Sequence, residues 1–353
     1  MHWYERYISP LALIAGFIFD NLVLLRRVDL LRTNLLFFFY LIVAALGIVL
    51  INMIESGRIR RQWALTAAPI IPVIVQFAFG GLFSGFLSLY SRSAAYAVSW
   101  IFVIVLAALL LGNERFTRWY TRFPFQIAVY FGVLFSFLIF FLPVVFRQIG
   151  PAMFIASGIM SLIVISLLIT ILLRVAPETV KREQTRVARS IAIIFAVFNI
   201  LYFTNAIPPL PLALKDAGVF HSVQHIDSTY ALTYEAVPWY ESYLRYNNVF
   251  HRAPGERVYV WTAIFAPSGL TTTILHQWQH YDTASKQWVT TNIAVFPIVG
   301  GRDGGYRGYS IGTAIVPGQW RVNVITQYGQ VVGQVAFTVE NVDTKVPLAQ
   351  ENQ

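Results

Sequence analysis

Before residue 205 the chain is cut by short charged turns into seven apolar runs. They lie near Tyr7–Leu25, Asn34–Ile54, Ala64–Leu89, Ala94–Leu111, Phe125–Phe146, Met153–Leu173 and Ala188–Phe203. A hydrocarbon core about 30 Å thick is crossed by roughly 20 apolar residues rising about 1.5 Å each. Backbone polar groups inside it must be bonded within the segment, which selects helices. The runs therefore predict about seven transmembrane helices, the first and last being the shortest. Turns as brief as Glu55-Ser56-Gly57-Arg58 and Gly112-Asn113-Glu114-Arg115 make successive helices antiparallel.

Charge separates two regions. Residues 1–204 hold 17 Lys/Arg and 7 Asp/Glu, whereas residues 205–353 hold 9 and 10, so the net +9 belongs to the loops between apolar runs. Such loops follow the positive-inside rule rather than forming a nucleic-acid face. With seven crossings, twelve positives from Arg6 to Arg189 fall on the side of the N-terminus and five (Arg26, Arg27, Arg32, Arg92, Arg147) on the other. The count places the N-terminus in the cytoplasm and the C-terminal region outside. The charges flanking the first run point the other way. Met1–Asp20 has no cleavage-site pattern and reads as a retained helix. The absence of cysteine rules out disulfides, thiolate metal sites and cysteine nucleophiles.

Within the third run, Gly81 and Gly85 suit close helix approach, and Pro69 and Pro72 predict a kink. Asp20 is the carboxylate inside a predicted span, where charge is costly and needs a partner such as Gln76 or Asn199. Asp20 and Gln76 are thus the candidate intramembrane polar residues, as an interhelix bond or as part of an ion path.

The segment Ile207-Pro208-Pro209-Leu210-Pro211 cannot continue a helix. Residues 205–254 read as a Pro- and aromatic-rich collar and linker, with Tyr230–Val237 a candidate strand. From Glu256 the apolar period becomes two. Candidate strands are Arg257–Phe265, Thr271–Tyr281, Trp288–Ile298, Tyr306–Ile315, Trp320–Gln327 and Val331–Val339, separated by Gly-, Pro- and Asp-rich turns. In the fifth, Trp320, Val322 and Val324 are expected in the core, with Arg321, Asn323 and Ile325 outward. The expected fold is a membrane all-α bundle, residues 1–204, followed by an all-β immunoglobulin-like antiparallel sandwich, residues 255–341. Residues 342–353 read as a disordered tail.

Several of these stretches occur together: Pro10–Asp20, Ile207–Leu212, His276-x-Trp278, Gly300-Gly301-Arg302-x-x-Gly305-Tyr306-Arg307 and Pro317-Gly318-x-Trp320-Arg321-Val322. In that order the chain resembles bacterial multi-pass membrane proteins ending in a C-terminal domain of unknown function. The resemblance implies an extracytoplasmic β module and supplies no catalytic residues.

His276, Trp278 and His280 share one strand face. Histidines four apart in a strand are about 13 Å apart, too far to share a zinc with Zn–N near 2.0 Å, so no metal site is expected. The loop Gly300–Gly308 carries Arg302 and Arg307, whose planar forks suit carboxylates and phosphates, or serves simply as a flexible hairpin. His276, Trp278, Arg302, Arg307 and Arg321 are the candidate ligand-binding residues. No nucleophile elbow, zincin motif or phosphate-binding loop is present, and no cofactor is implied. The preferred function is presentation of the β module to an envelope glycan, peptide, lipid headgroup or protein partner. The bilayer itself is the other partner, nucleic acid is not expected, and the oligomeric state is left open. A transporter with Asp20 in its path is the alternative. A lipid-modifying enzyme is a third, requiring His221, His225, Arg302 and Asp303 to meet.

Overall fold

The computed structural model describes residues 29–59, 61–62, 66, 68–93, 96–113, 119–227, 229–236, 249–344 and 346–353. The first expected span and Asp20 lie outside them. The chain divides at Pro211/Leu212 into a helical unit and a β-rich unit.

Among the described residues the helical unit contains α1 (Leu31–Glu55), α2 (Ile71–Ser93), α3 (Tyr96–Gly112), α4 (Phe123–Phe146), α5 (Pro151–Val175) and α6 (Pro177–Phe203). All but α3 are long and apolar enough to cross a membrane. Their outward faces are apolar too. On α5, Ile155, Ile159, Ile163, Leu167 and Ile171 follow every fourth residue and are each 48–60% exposed. A helix facing water puts polar residues there, so this stripe is suited to hydrocarbon. The interior is aromatic. Phe37 of α1 lies 5.3 Å from Phe86 of α2 and 5.5 Å from Phe140 of α4, and Phe135 stacks on Phe198 of α6 at 4.8 Å. At Gly81 a Cβ would come within 2.6 Å of the Tyr40 ring, so α2 meets α1 closely where the small-residue spacing predicts.

Two helix starts differ from expectation. The helix of the third run begins at Ile71, after a turn over residues 68–70. Pro72 therefore sits in the first turn of this helix, where a missing N–H leaves no bond unmade. The last helix starts at Pro177 rather than Ala188, because the largely polar stretch Glu178–Arg189, which includes the Glu183–Arg186 pair at 2.9 Å, is part of it.

The β unit has strands β1 (Ala213–Phe220), β2 (Ser222–Ile226), β3 (Thr229–Glu235), β4 (Val249–Arg252), β5 (Tyr259–Phe265), β6 (Thr271–Asp282), β7 (Gln287–Val299), β8 (Tyr306–Ile311), β9 (Gly318–Thr326), β10 (Val331–Asn341) and β11 (Leu348–Asn352). They form three sheets, β1-β5-β8, β4-β10-β9-β6-β7 and β11-β3-β2. Val219, Val260, Trp278, Trp320, Val322, Val335 and Phe337, drawn from the first two sheets, share one core. A second core of Phe220, Val223, Leu232, Trp261 and Ala263 joins the first sheet to the third. β5 is consequently buried on both faces, which is why Tyr-Val-Trp-Thr-Ala-Ile-Phe reads as an unbroken apolar run rather than an alternating one.

The later strands lie where the period-two pattern puts them, and Trp320, Val322 and Val324 are buried while Arg321, Asn323 and Ile325 are not. Three features depart from the expected arrangement. The collar-and-linker segment supplies β1–β4 rather than remaining a linker. β4 pairs with β10 in parallel. The tail expected to be disordered forms β11, whose pairing with β3 from Leu348↔Glu235 to Asn352↔Ala231 satisfies a backbone edge that would otherwise be open.

Candidate functional site

Alternation sends consecutive residues of β6 to opposite sides, and this decides which of the candidate residues can meet a ligand. His276 and Trp278 point inward and are fully buried; neither offers a surface to a ligand. The His276 ring lies between two hydroxyls, Nδ1 2.8 Å from Ser310 Oγ and Nε2 3.0 Å from Thr262 Oγ1. Trp278 Nε1 donates to Ser310 Oγ at 2.9 Å. Ser310, accepting from Trp278, can donate its own O–H to Nδ1; in that tautomer the ring proton is on Nε2, facing Thr262. Burial pushes the His276 pKa down to about 4, so the ring is neutral near pH 7 and cross-links both sheets inside the core.

The intervening residues, Gln277 and Gln279, point to the outer face of the five-stranded sheet and join a hydrogen-bonded array. Both donate to Thr290 Oγ1 of β7, at 3.3 and 3.1 Å. Arg321 Nε donates to Gln279 Oε1 at 2.7 Å. Asn323 Nδ2 donates to Gln277 Oε1 and Gln279 Oε1, and Gln334 Nε2 donates to Asn323 Oδ1 at 2.7 Å. The array thus crosses four adjacent strands, with Asn323 its hub. At one end the Arg321 guanidinium lies 4.3 Å from the centre of the Trp288 ring, which meets Tyr281 edge-on. Towards the other end the same face turns apolar, with Leu275, Ile325, Ile293 and Val295, the last 61% exposed.

Of the sequence-chosen set, therefore, Arg321 lies on this surface. Arg302 is in the loop after β7, with its guanidinium 5.8 Å from the Tyr306 ring centre, and Arg307 is on β8, paired with Ala263 of the first sheet. The structure does not gather the five into one site. Gln277, Gln279, Thr290, Asn323, Gln334 and Trp288 were not singled out by sequence; their signal was the outward half of the same alternation.

A second polar constellation links strand ends from all three sheets. His221 Nδ1 lies 2.7 Å from Glu256 Oε1, and its Nε2 lies 3.3 Å from Glu235 Oε1. Glu235 also accepts from the His251 backbone N–H at 2.6 Å and pairs with His251 Nδ1 at 2.7 Å. Burial opposes charge on His221, but its bonds to Glu235 and Glu256 outweigh that and raise its pKa. Burial likewise works against the Glu235 carboxylate, yet the bonds from His221 and His251 hold its pKa down to about 2. Among the described residues no group of three or more His, Asp or Glu side chains is arranged to hold a metal ion. His225 packs on the Tyr230 ring at 4.7 Å, so the His221 cluster is built from Glu235, Glu256 and His251 rather than from His225, Arg302 and Asp303.

In the helical unit, Gln76 donates to the Asn113 carbonyl at 3.1 Å while Asn113 Nδ2 donates to the Gln76 carbonyl at 3.0 Å. Tyr120, Gln126 and Asn52 extend this chain of bonds to α4 and α1. Gln76 thus bonds across helices to Asn113, while Asp20, its expected partner, lies outside the described residues.

Among solved structures, an alkylpurine DNA glycosylase AlkC of Pseudomonas fluorescens, bound to DNA containing an abasic site analog, aligns with 80% of this chain and 83% of its own at 13% identity. Its TM-score of 0.23 is too low to carry an argument. A search of curated proteins finds no match. A family model described as a protein of unknown function, DUF2914, matches residues 271–339. That span runs from the start of β6 almost to the end of β10 and contains every residue of the amide array. The chain accordingly joins apolar, membrane-length helices to a C-terminal DUF2914 domain.

Proposed function

We propose that this is a bacterial inner-membrane protein of about seven transmembrane helices. Its N-terminus is cytoplasmic, and its β unit, built around an immunoglobulin-like sandwich, stands on the extracytoplasmic side. There the outer face of the five-stranded sheet binds a component of the cell envelope. The apolar outward faces of the helices and the excess of Lys/Arg on alternate loops support the anchoring and the sidedness.

The observation that carries the binding role is the amide array itself. Surface Gln and Asn side chains are ordinarily solvated singly, because water competes for their bonds and each loses rotamer freedom when fixed. Here Gln277, Gln279, Asn323 and Gln334 are tied together in one network with Thr290 and Arg321. Groups already ordered lose less entropy when a ligand arrives.

The test is retention of separated envelope fractions (cell-wall sacculi, lipid vesicles, soluble envelope proteins) by the full-length protein held in nanodiscs. One fraction is expected to be retained by the wild type and several-fold less by Asn323→Ala. Equal retention of every fraction by both proteins would remove this face as the binding surface.

A further inference from the structure

Resting on that reading, we infer that the ligand of the array is a glycan strand bearing amide or carboxylate substituents, laid across β7, β6, β9 and β10. The geometry bears on ligand class in three ways. First, the polar rows offer groups that both donate and accept. Each Gln or Asn amide carries two N–H donors and a carbonyl with two lone pairs, the complement of a sugar hydroxyl or an acetamido group. In the array Gln334 uses its Nε2 on Asn323, and Asn323 uses its Nδ2 on Gln277 and Gln279. Donors and acceptors are therefore held in register across strands spaced about 4.8 Å apart, close to the length of one sugar unit.

Second, the charge on the polar rows is a single cation. Arg321 is fixed through Nε to Gln279, which leaves the other edge of its planar fork directed at a carboxylate or carbonyl. Phosphate-rich lipid surfaces and nucleic acids are held by several Lys or Arg acting together, and among the described residues Arg321 is the one cation of the polar rows. Third, the exposed aliphatics Ile293 and Val295 of this face lie on the edge strand β7 rather than at the centre, where a protein interface concentrates its energy. The aromatic of the polar rows, Trp288, lies under the Arg321 guanidinium.

The experiment measures binding of peptide-stripped murein glycan strands to the full-length protein in nanodiscs, with the stripped stem peptides and anionic lipid vesicles as the other probes. The expectation is saturable binding of the strands, weakened at least tenfold by Asn323→Ala and by Gln334→Ala. Arg321→Lys, which keeps the charge but loses the fork, should lie between. Ser285→Ala, in the exposed turn after β6, should bind as the wild type does. Near-UV circular dichroism checks that each variant is folded. Binding confined to stem peptides or vesicles, or strand binding unchanged in the folded Asn323→Ala and Gln334→Ala variants, overturns the inference. In the first case the face remains an envelope-binding surface for another class of ligand; in the second the strands bind elsewhere on the protein.

Discussion

His276 shows how one side chain sets the response of the β unit to acid. Its folded pKa is about 4, against about 6.5 in an unfolded chain. Between those values the unfolded chain holds a proton that the folded one does not, so stability falls as pH drops from about 6.5 to 4, by up to about 3 kcal/mol. Glu235, held down to about 2, adds a loss below about pH 4.5. His221, whose pKa is raised, contributes stability that is lost as pH rises through its folded value. Thermal midpoints of the β unit should therefore peak near pH 6.5. His276→Gln should lower the midpoint at pH 7 and flatten the decline between pH 6.5 and 4. A decline as steep as in the wild type would assign it to another group. The His276 site was half visible beforehand. Alternation puts His276 beside Trp278 on one strand face, but the hydroxyls that hold it come from Thr262 and Ser310, 14 and 34 positions away, and nothing local announces them.

Among the elements, turns are where backbone contact leaves least room. The loop after β7 is pinned to the β5–β6 turn by Gly300 N–H to Leu270 O and Gly301 N–H to Ala266 O. A Cβ at Gly300 would lie 1.9 Å from the Pro267 carbonyl oxygen, and backbone cannot swing aside as a side-chain end can. Gly300→Ala should cost roughly 2–3 kcal/mol by urea unfolding. Gly329→Ala, with a φ of +80° but nothing within 4 Å, should cost about 1–2 kcal/mol from left-handed strain alone.

The strands from β5 to β10 were legible because each has a turn on either side and, β5 apart, one face that alternates. β1 escaped because Lys215-Asp216 falls at its register shift. β4 is four residues long and polar at His251-Arg252, and its pairing with β10 is parallel and distant in sequence. β11 is an edge strand, Leu-Ala-Gln-Glu-Asn, whose composition matches a solvated tail. For the same reason the amide array was legible one strand at a time and invisible as a unit.

For the whole molecule, the absence of cysteine makes sidedness directly measurable. A single thiol introduced by Ser285→Cys in the β6–β7 turn should react with a membrane-impermeant maleimide in intact spheroplasts. One introduced by Arg182→Cys, on the polar start of α6 where the arginine side chain is 74% exposed, should react only after permeabilisation. The reverse pattern would invert the orientation. The chain's division into a greasy and a pleated half was plain from the change of period and of charge. The three-layered form of the second half was not, because the second face of β5 is covered by β2 and β3, which come from the segment read as a linker.

The pairing of β11 with β3 also fixes an order of events during biosynthesis. Residues 348–352 complete a sheet begun by residues 222–235, so that sheet keeps a bare edge while more than a hundred intervening residues leave the ribosome. All six described helices are made before it. The third sheet can therefore close only once β11, more than a hundred residues further along the chain than β3, has been made.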